Sequence, residues 1–101
     1  KLSKRDLFIS DVVEKPSKKN APSNKAIIGR YILPKSIFLK LKKLKPGKDG
    51  EIHVTDAISL LLKENENFIA HNFEGKYLDC GTLSGYINSN KEISKLWNYV
   101  S

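Results

Sequence analysis

The stretch KPGKDGEIHVTDAISLLL, residues 45–62, decides the fold, because it joins a glycine-containing turn to an amphipathic helix. Pro46 and Gly47 end the preceding element, and Thr55 is the residue type that caps a helix at its N-terminus. The apolar residues that follow lie on one helical face: Ala57, Ile58, Leu61 and Leu62. The stretch therefore predicts a helix that starts at Thr55 and ends by Lys63, with one side buried.

A helix and two strands are predicted upstream of this turn. The helix opens at Pro34 and repeats apolar residues at helical spacing: Ile37, Phe38, Leu41 and Leu44. Residues 7–13 and 26–33 are apolar, partly β-branched runs that favour strands. Pro16 should end the first run, and Gly29 marks a point of close backbone approach in the second.

One more strand and one more helix are predicted downstream. The strand covers residues 68–73, and the helix starts near Thr82, where apolar and aromatic residues recur at helical spacing: Leu83, Tyr86, Ile87, Ile93 and Trp97. We expect this helix to pack on the sheet. The mixture indicates an α/β layer arrangement with few strands and exposed sheet edges, so the chain should be part of something larger or pair with another chain.

Length, hydropathy and cysteine content narrow the class of protein. The chain has 101 residues, enough for one domain. Lys1 stands where a native start would have Met, so we expect a cut amino end. No apolar run approaches the ~20 residues of a membrane span. The single cysteine, Cys80, cannot form an internal disulfide, which fits a reducing cytoplasm.

The positive charge is concentrated in the first half of the chain. The net charge is +7, with 14 Lys/Arg against 3 Asp/Glu in residues 1–48 and 4 against 8 in residues 49–101. Such a half could attract a polyanion. However, 16 of the 18 cations are Lys, and the Arg clusters with interleaved aromatics that read bases are missing. The composition therefore argues against nucleic-acid binding.

Four segments, in this order, resemble the bacterial UTP–glucose-1-phosphate uridylyltransferase family: VVEKP at 12–16, APSNKAIIGRYIL at 21–33, KPGKDGEIHVTDAISLLL at 45–62 and FEGKYLDCGTLSGY at 73–86. The resemblance implies the C-terminal, sugar-phosphate-binding portion of a Rossmann-like nucleotidyltransferase α/β/α sandwich with a mixed sheet, spanning residues 1–101. The N-terminal, nucleotide-binding portion, with its phosphate-cradling Gly-rich loop, is not in these residues.

In this family, UMP is transferred from UTP to glucose 1-phosphate. Two polyanions must be held together, so cations and positioning are required more than an acid or a base. Lys15 resembles the family lysine that contacts the phosphate, and Glu14 the glutamate that binds sugar hydroxyls. Because adjacent strand side chains point to opposite faces, the two can share a site only where the strand ends.

The resemblance implies a cofactor and a sugar pocket. Asp56 resembles the second aspartate that helps to hold Mg²⁺, although an acidic residue in the first turn stabilises any helix. Ile27, Ile28 and Gly29 resemble the stretch whose backbone lines the sugar pocket, and an ordinary buried strand would look the same.

Other conspicuous residues are assigned no chemistry. We interpret Asp79, Cys80 and Gly81 as turn and packing residues. His53 stands where the family usually has Gln. His53 and His71 are 18 residues apart and have no accompanying Cys, which does not match a zinc site.

The resemblance implies a cytoplasmic protein that is inactive alone, pairs with the missing N-terminal part, and is homo-oligomeric when intact. Two alternatives stay open: an interaction module that binds a partner chain or a polyanion, and a sister sugar-phosphate thymidylyltransferase.

Overall fold

Two helices form the only buried core in the described part of the chain. The computed structural model describes residues 2–97, so residue 1 and residues 98–101 of the predicted domain lie outside the described residues. Helix α1, Ile37–Lys43, packs on helix α2, Val54–Lys63. The core residues are Val12, Ile37, Ala57, Ile58 and Leu61. Both helices form as their apolar spacing predicted, but Phe38, expected on the inner face of α1, is 64% exposed.

The N-cap of helix α2 lies two residues before the predicted one. His53 is the N-cap, and Thr55 lies inside the first turn with 8% of its surface exposed. The prediction that Thr55 caps the helix is therefore wrong. Its hydroxyl donates a hydrogen bond to the Glu14 carboxylate instead, and an ionised acceptor makes a stronger bond than a neutral one.

The sheet in the described residues consists of two short antiparallel strands. Strand β1, Asp6–Phe8, pairs with strand β2, Ile69–His71, and Leu7 stands opposite Ala70. Both strands were predicted, but longer. Beyond Phe8, Ile9 still donates to the Phe68 carbonyl at 3.0 Å. Strand β1 therefore ends because its partner ends, well before Pro16.

The predicted strand at residues 26–33 does not form. No backbone hydrogen bond of the described chain involves these residues, the backbone bends at Gly29 with φ +80°, and Ile32 is fully exposed. A strand exists only when a neighbour accepts and donates its ladder bonds. The described residues offer this segment no such neighbour.

The last helix, α3, covers Leu83–Trp97. The Thr82 hydroxyl accepts a 3.0 Å hydrogen bond from the Gly85 amide, as an N-terminal cap does. The prediction that α3 packs on the sheet is wrong: within residues 2–97 it contacts no other helix or strand. Leu83 and Leu96 are each 76% exposed. Instead, α3 contacts the preceding loop, where Lys76 pairs with Glu92.

The result is an α/β arrangement with unfinished layers. Among the described residues, the sheet has two strands. The side chains of Ile27, Tyr31 and Ile32 and most apolar side chains of α3 are exposed. This agrees with the expectation of too few strands. No helix among the described residues is long and apolar enough to cross a membrane.

Candidate functional site

Residues 11–14 lie along helix α2, in the opposite direction to the helix. Asp11 accepts a 3.0 Å hydrogen bond from the Ser59 hydroxyl, and Glu14 accepts a 2.5 Å bond from Thr55, one helical turn nearer the start of α2. Between them, Val12 is buried in the core. The Val12 amide, together with Ser59, lowers the pKa of the Asp11 carboxyl. This segment therefore delivers Glu14 to the first turn of α2.

The backbone bends at Lys15, the residue after Glu14, and this bend exposes the Lys15 side chain. Lys15 has φ +40°, a left-handed conformation that costs a non-glycine residue about 1–3 kcal/mol. It also precedes Pro16, and a residue before proline favours extended backbone. The chain bends here and leaves the Lys15 side chain exposed, with no ion pair to any residue that the structure describes. Glu14 and Lys15 therefore flank a bend rather than lie on a strand.

Asp56 lies beside the same contact. It follows Thr55 directly, in the first turn of α2, and its side chain is exposed without a hydrogen-bond partner in residues 2–97. The Glu14–Thr55 bond thus brings Glu14, Lys15 and Asp56 to one end of one helix. The positive end of a helix dipole favours carboxylates at this position.

A second group of ionisable side chains lies just before α2. His53 Nε2 is 2.6 Å from Asp49 Oδ2. This hydrogen bond raises the pKa of His53, and the nearby charges of Asp49, Glu14 and Glu51 raise it further. The Glu51 amide and His53 lower the pKa of Asp49. Both shifts favour an ionised pair at the start of the helix.

In the described chain, no hydrogen bond joins the predicted sugar-pocket residues to Glu14, Lys15 or Asp56. Ile27 is 46% exposed, Ile28 is partly buried, and a Cβ at Gly29 would meet nothing within 4 Å. The predicted close approach at Gly29 therefore has no counterpart within these residues.

An open cleft of about 420 Å³ lies elsewhere, between α3 and residues 76–79. It includes none of the predicted site residues. Nearby, Asp79 Oδ1 accepts a 2.8 Å bond from the Gly81 amide, as expected of a turn. Cys80 is exposed, so its predicted packing role is wrong.

Sequence reasoning missed three features of the site. The Glu14–Thr55 bond joins residues 41 positions apart, and no local pattern reveals it. The left-handed Lys15 is equally invisible in a sequence. The grouping of Asp49, Glu51 and His53 does have a signal, acidic and imidazole ligands at every second position, which a search for Cys and His pairs passes over.

Residues 3–95 match the family model described as nucleotidyl transferase. A UTP–glucose-1-phosphate uridylyltransferase of Pseudomonas aeruginosa is 49% identical over 83 residues, covering 80% of this chain and 29% of the relative. The corresponding protein of Bacillus subtilis is 43% identical over 86 residues, covering 85% and 29%. The chain therefore spans about 30% of the length of these relatives.

The chain also resembles solved structures of UDP-glucose pyrophosphorylases. A crystal structure of UDP-glucose pyrophosphorylase complexed with UDP-glucose superposes with a TM-score of 0.84 at 45% identity, covering 94% of this chain and 36% of the other. An apo structure of such an enzyme gives 0.82. The fold class is thus confirmed as an incomplete part of the α/β transferase domain. On the sequence match, the identity and the shared backbone, this chain belongs to the nucleotidyl transferase family.

Proposed function

We propose that this chain forms the sugar-phosphate side of the active site of a UTP–glucose-1-phosphate uridylyltransferase. The observation that carries the proposal is the Glu14–Thr55 hydrogen bond, which brings Glu14, Lys15 and Asp56 to the start of α2. In the complete enzyme, glucose 1-phosphate would attack the α-phosphorus of UTP to give UDP-glucose and pyrophosphate, which serves UDP-glucose biosynthesis.

Lys15 is the catalytic residue of the proposal. Its strained φ of +40° is retained beside a proline that favours another conformation, and such strain clusters at ligand-binding positions. The exposed ammonium has no carboxylate partner within residues 2–97, so it is available to a phosphate. It would offset the repulsion between the two substrates as a point charge.

Glu14 would orient the sugar. Thr55 occupies Oε2 of its carboxylate, while Oε1 accepts no hydrogen bond from the described residues and remains available to a sugar hydroxyl. The Thr55 bond also restricts the rotation of the side chain. Glu14 would therefore hold the sugar ring in place while Lys15 holds its phosphate.

Mg²⁺ belongs to the proposal through Asp56. The Asp56 carboxylate is exposed and has no hydrogen-bond partner within residues 2–97. It suits this ion, which binds one or two protein carboxylates together with substrate phosphates. The local charge fits as well, since the carboxylates at the start of α2 would repel a phosphate unless cations were added. When bound, the ion would neutralise charge on the phosphate oxygens.

The backbone at Ile27, Ile28 and Gly29 would complete the sugar pocket. Its amide and carbonyl groups make no hydrogen bond within the described chain, so they are free for a ligand or for a strand of the remaining enzyme. Binding of UTP would depend mainly on that remaining part. A cytoplasmic location and a homo-oligomeric whole enzyme stay predictions from the resemblance.

Complementation tests the proposal. This chain is mixed with the part of the Pseudomonas aeruginosa relative that it does not match, and pyrophosphate release from UTP, glucose 1-phosphate and Mg²⁺ is measured. We expect no turnover from either part alone and turnover from the mixture. Lys15→Ala should lower turnover about 10- to 100-fold, because a hydrogen bond to a charged group contributes roughly 1.5–3 kcal/mol.

Lys18→Ala is the matched control, because Lys18 is an exposed lysine on the following loop. It should leave turnover unchanged. Equal losses of turnover in Lys15→Ala and Lys18→Ala would mean that Lys15 contributes only general positive charge. Full activity of the isolated chain would contradict the need for a second part. An NMR titration of the isolated chain with glucose 1-phosphate tests the sugar-phosphate side without requiring the two parts to assemble.

A further inference from the structure

The segment between α1 and α2 gathers three potential metal ligands in five residues. Asp49, Glu51 and His53 occupy alternate positions, and their ligand atoms all lie within 4.8 Å of one another. Two backbone bonds hold the turn: the Gly47 amide donates to the Glu51 carbonyl at 2.8 Å and the Gly50 amide to the Gly47 carbonyl at 3.0 Å. Gly50 supplies the left-handed φ of +78° that the turn requires.

The spacing of the ligand atoms is close to that of a bound ion. Metal–ligand bonds of about 2.0–2.2 Å place neighbouring ligand atoms roughly 3–3.5 Å apart in a tetrahedral set. His53 Nε2 and Asp49 Oδ2 are 2.6 Å apart and need to separate by roughly 0.4–0.9 Å to reach that spacing. The exposed Glu51 side chain closes the remaining distance by rotating about its own bonds.

We propose that Asp49, Glu51 and His53 bind a divalent transition-metal ion such as Zn²⁺, Co²⁺ or Ni²⁺, at a site separate from Asp56. One imidazole with two carboxylates favours these ions, because imidazole suits Zn, Ni and Fe whereas all-oxygen sets suit Mg²⁺ and Ca²⁺. With three protein ligands, the site keeps at least one position for water.

The placement of the ligands indicates what the ion does. His53 is the N-cap of α2, with no hydrogen bond from its side chain to the helix backbone, and Asp49 belongs to the loop after α1. The ion fixes the loop to the first turn of α2, where Thr55 holds Glu14. It therefore stabilises the folded chain by mass action, because the unfolded chain does not gather the three ligands.

The test measures the binding of Zn²⁺ and Co²⁺ to this chain by calorimetry. Co²⁺ binding is also followed by the visible absorption of the bound ion. We expect one ion per chain and a melting temperature that rises with metal concentration. His53→Gln should weaken binding at least about 10-fold, since even the loss of an outer-shell partner costs roughly 10–100-fold. Asp49→Asn gives a second variant, which keeps the histidine and removes a carboxylate.

His71→Gln is the matched control. His71 Nδ1 also lies near a carboxylate, 2.8 Å from Asp6 Oδ1, but no second carboxylate completes a three-ligand group there within residues 2–97. Binding should therefore be unchanged in this variant. Equal weakening in His53→Gln and His71→Gln, or no Zn²⁺ binding by the unaltered chain, would overturn the proposal. These readouts do not involve turnover, so they stand or fall independently of the proposed function.

Discussion

At the scale of single residues, the hydroxyl of Thr55 matters more than its position in a helix suggests. It is buried, lies in the first turn of α2, and donates to Glu14 across a sequence separation of 41 residues. This bond, with the Asp11–Ser59 bond one turn away, holds residues 11–14 against the helix. Loss of the hydroxyl would leave Glu14 without its anchor.

We predict that Thr55→Val and Glu14→Gln each destabilise the chain and that their effects are not additive. Coupling between residues in direct contact is about 0.5–3 kcal/mol, and the double-mutant cycle, measured by urea unfolding, gives it directly. Thr55→Ser keeps the hydroxyl and should restore most of the coupling. Strictly additive losses would show that the bond contributes nothing.

At the scale of elements, Gly85 lets the loop approach helix α3. A Cβ at this position would lie 2.2 Å from the backbone oxygen of Asp79, far inside contact distance. The loop is further held by the Lys76–Glu92 ion pair. The glycine is therefore required by packing, although alanine is the better helix former.

We predict that Gly85→Ala releases residues 76–79 from α3. In an unobstructed helix the change would stabilise by about 1 kcal/mol, but here the methyl group collides with backbone that cannot rotate away. Hydrogen exchange of residues 76–79 should accelerate, while that of α2 should not change. Ser84→Ala, on the same turn and exposed, is the control. Unchanged exchange in Gly85→Ala would mean that the loop does not depend on this contact.

The same scale shows which elements the sequence could predict. Helices α1, α2 and α3 follow from apolar spacing and local stop signals, because a helix makes its own hydrogen bonds. The strand at residues 26–33 was predicted on equally good composition and is absent, because a strand needs a partner that local residues cannot supply. For the candidate site, residue types were accessible from the resemblance, whereas the Glu14–Thr55 bond and the bend at Lys15 depend on long-range geometry.

At the scale of the whole molecule, stability depends on a small core between α1, α2 and Val12. Leu61 is 1% exposed at its centre, whereas Leu39 on α1 is 62% exposed. The buried Leu61 side chain packs on all sides and stabilises the fold, whereas the exposed Leu39 side chain contributes little to stability.

We predict that Leu61→Ala lowers the free energy of unfolding by about 2–5 kcal/mol. Small domains have only roughly 5–15 kcal/mol in total, so the variant should melt at a clearly lower temperature than the unaltered chain, as seen by circular dichroism. Leu39→Ala should change the stability by no more than about 0.5 kcal/mol. A comparable loss at Leu39 would indicate that the exposed side of α1 is covered in solution.

The unpaired backbone of residues 26–33 affects how long the chain survives in the presence of proteases. Proteases bind substrates as extended backbone with free amides and carbonyls, and this segment offers both, next to the exposed side chains of Tyr31 and Ile32. The same groups can pair with a second copy, edge to edge, at high concentration. Cleavage by chymotrypsin should therefore begin after Tyr31. A binding partner that pairs with this segment as a neighbouring strand would protect the site from cleavage.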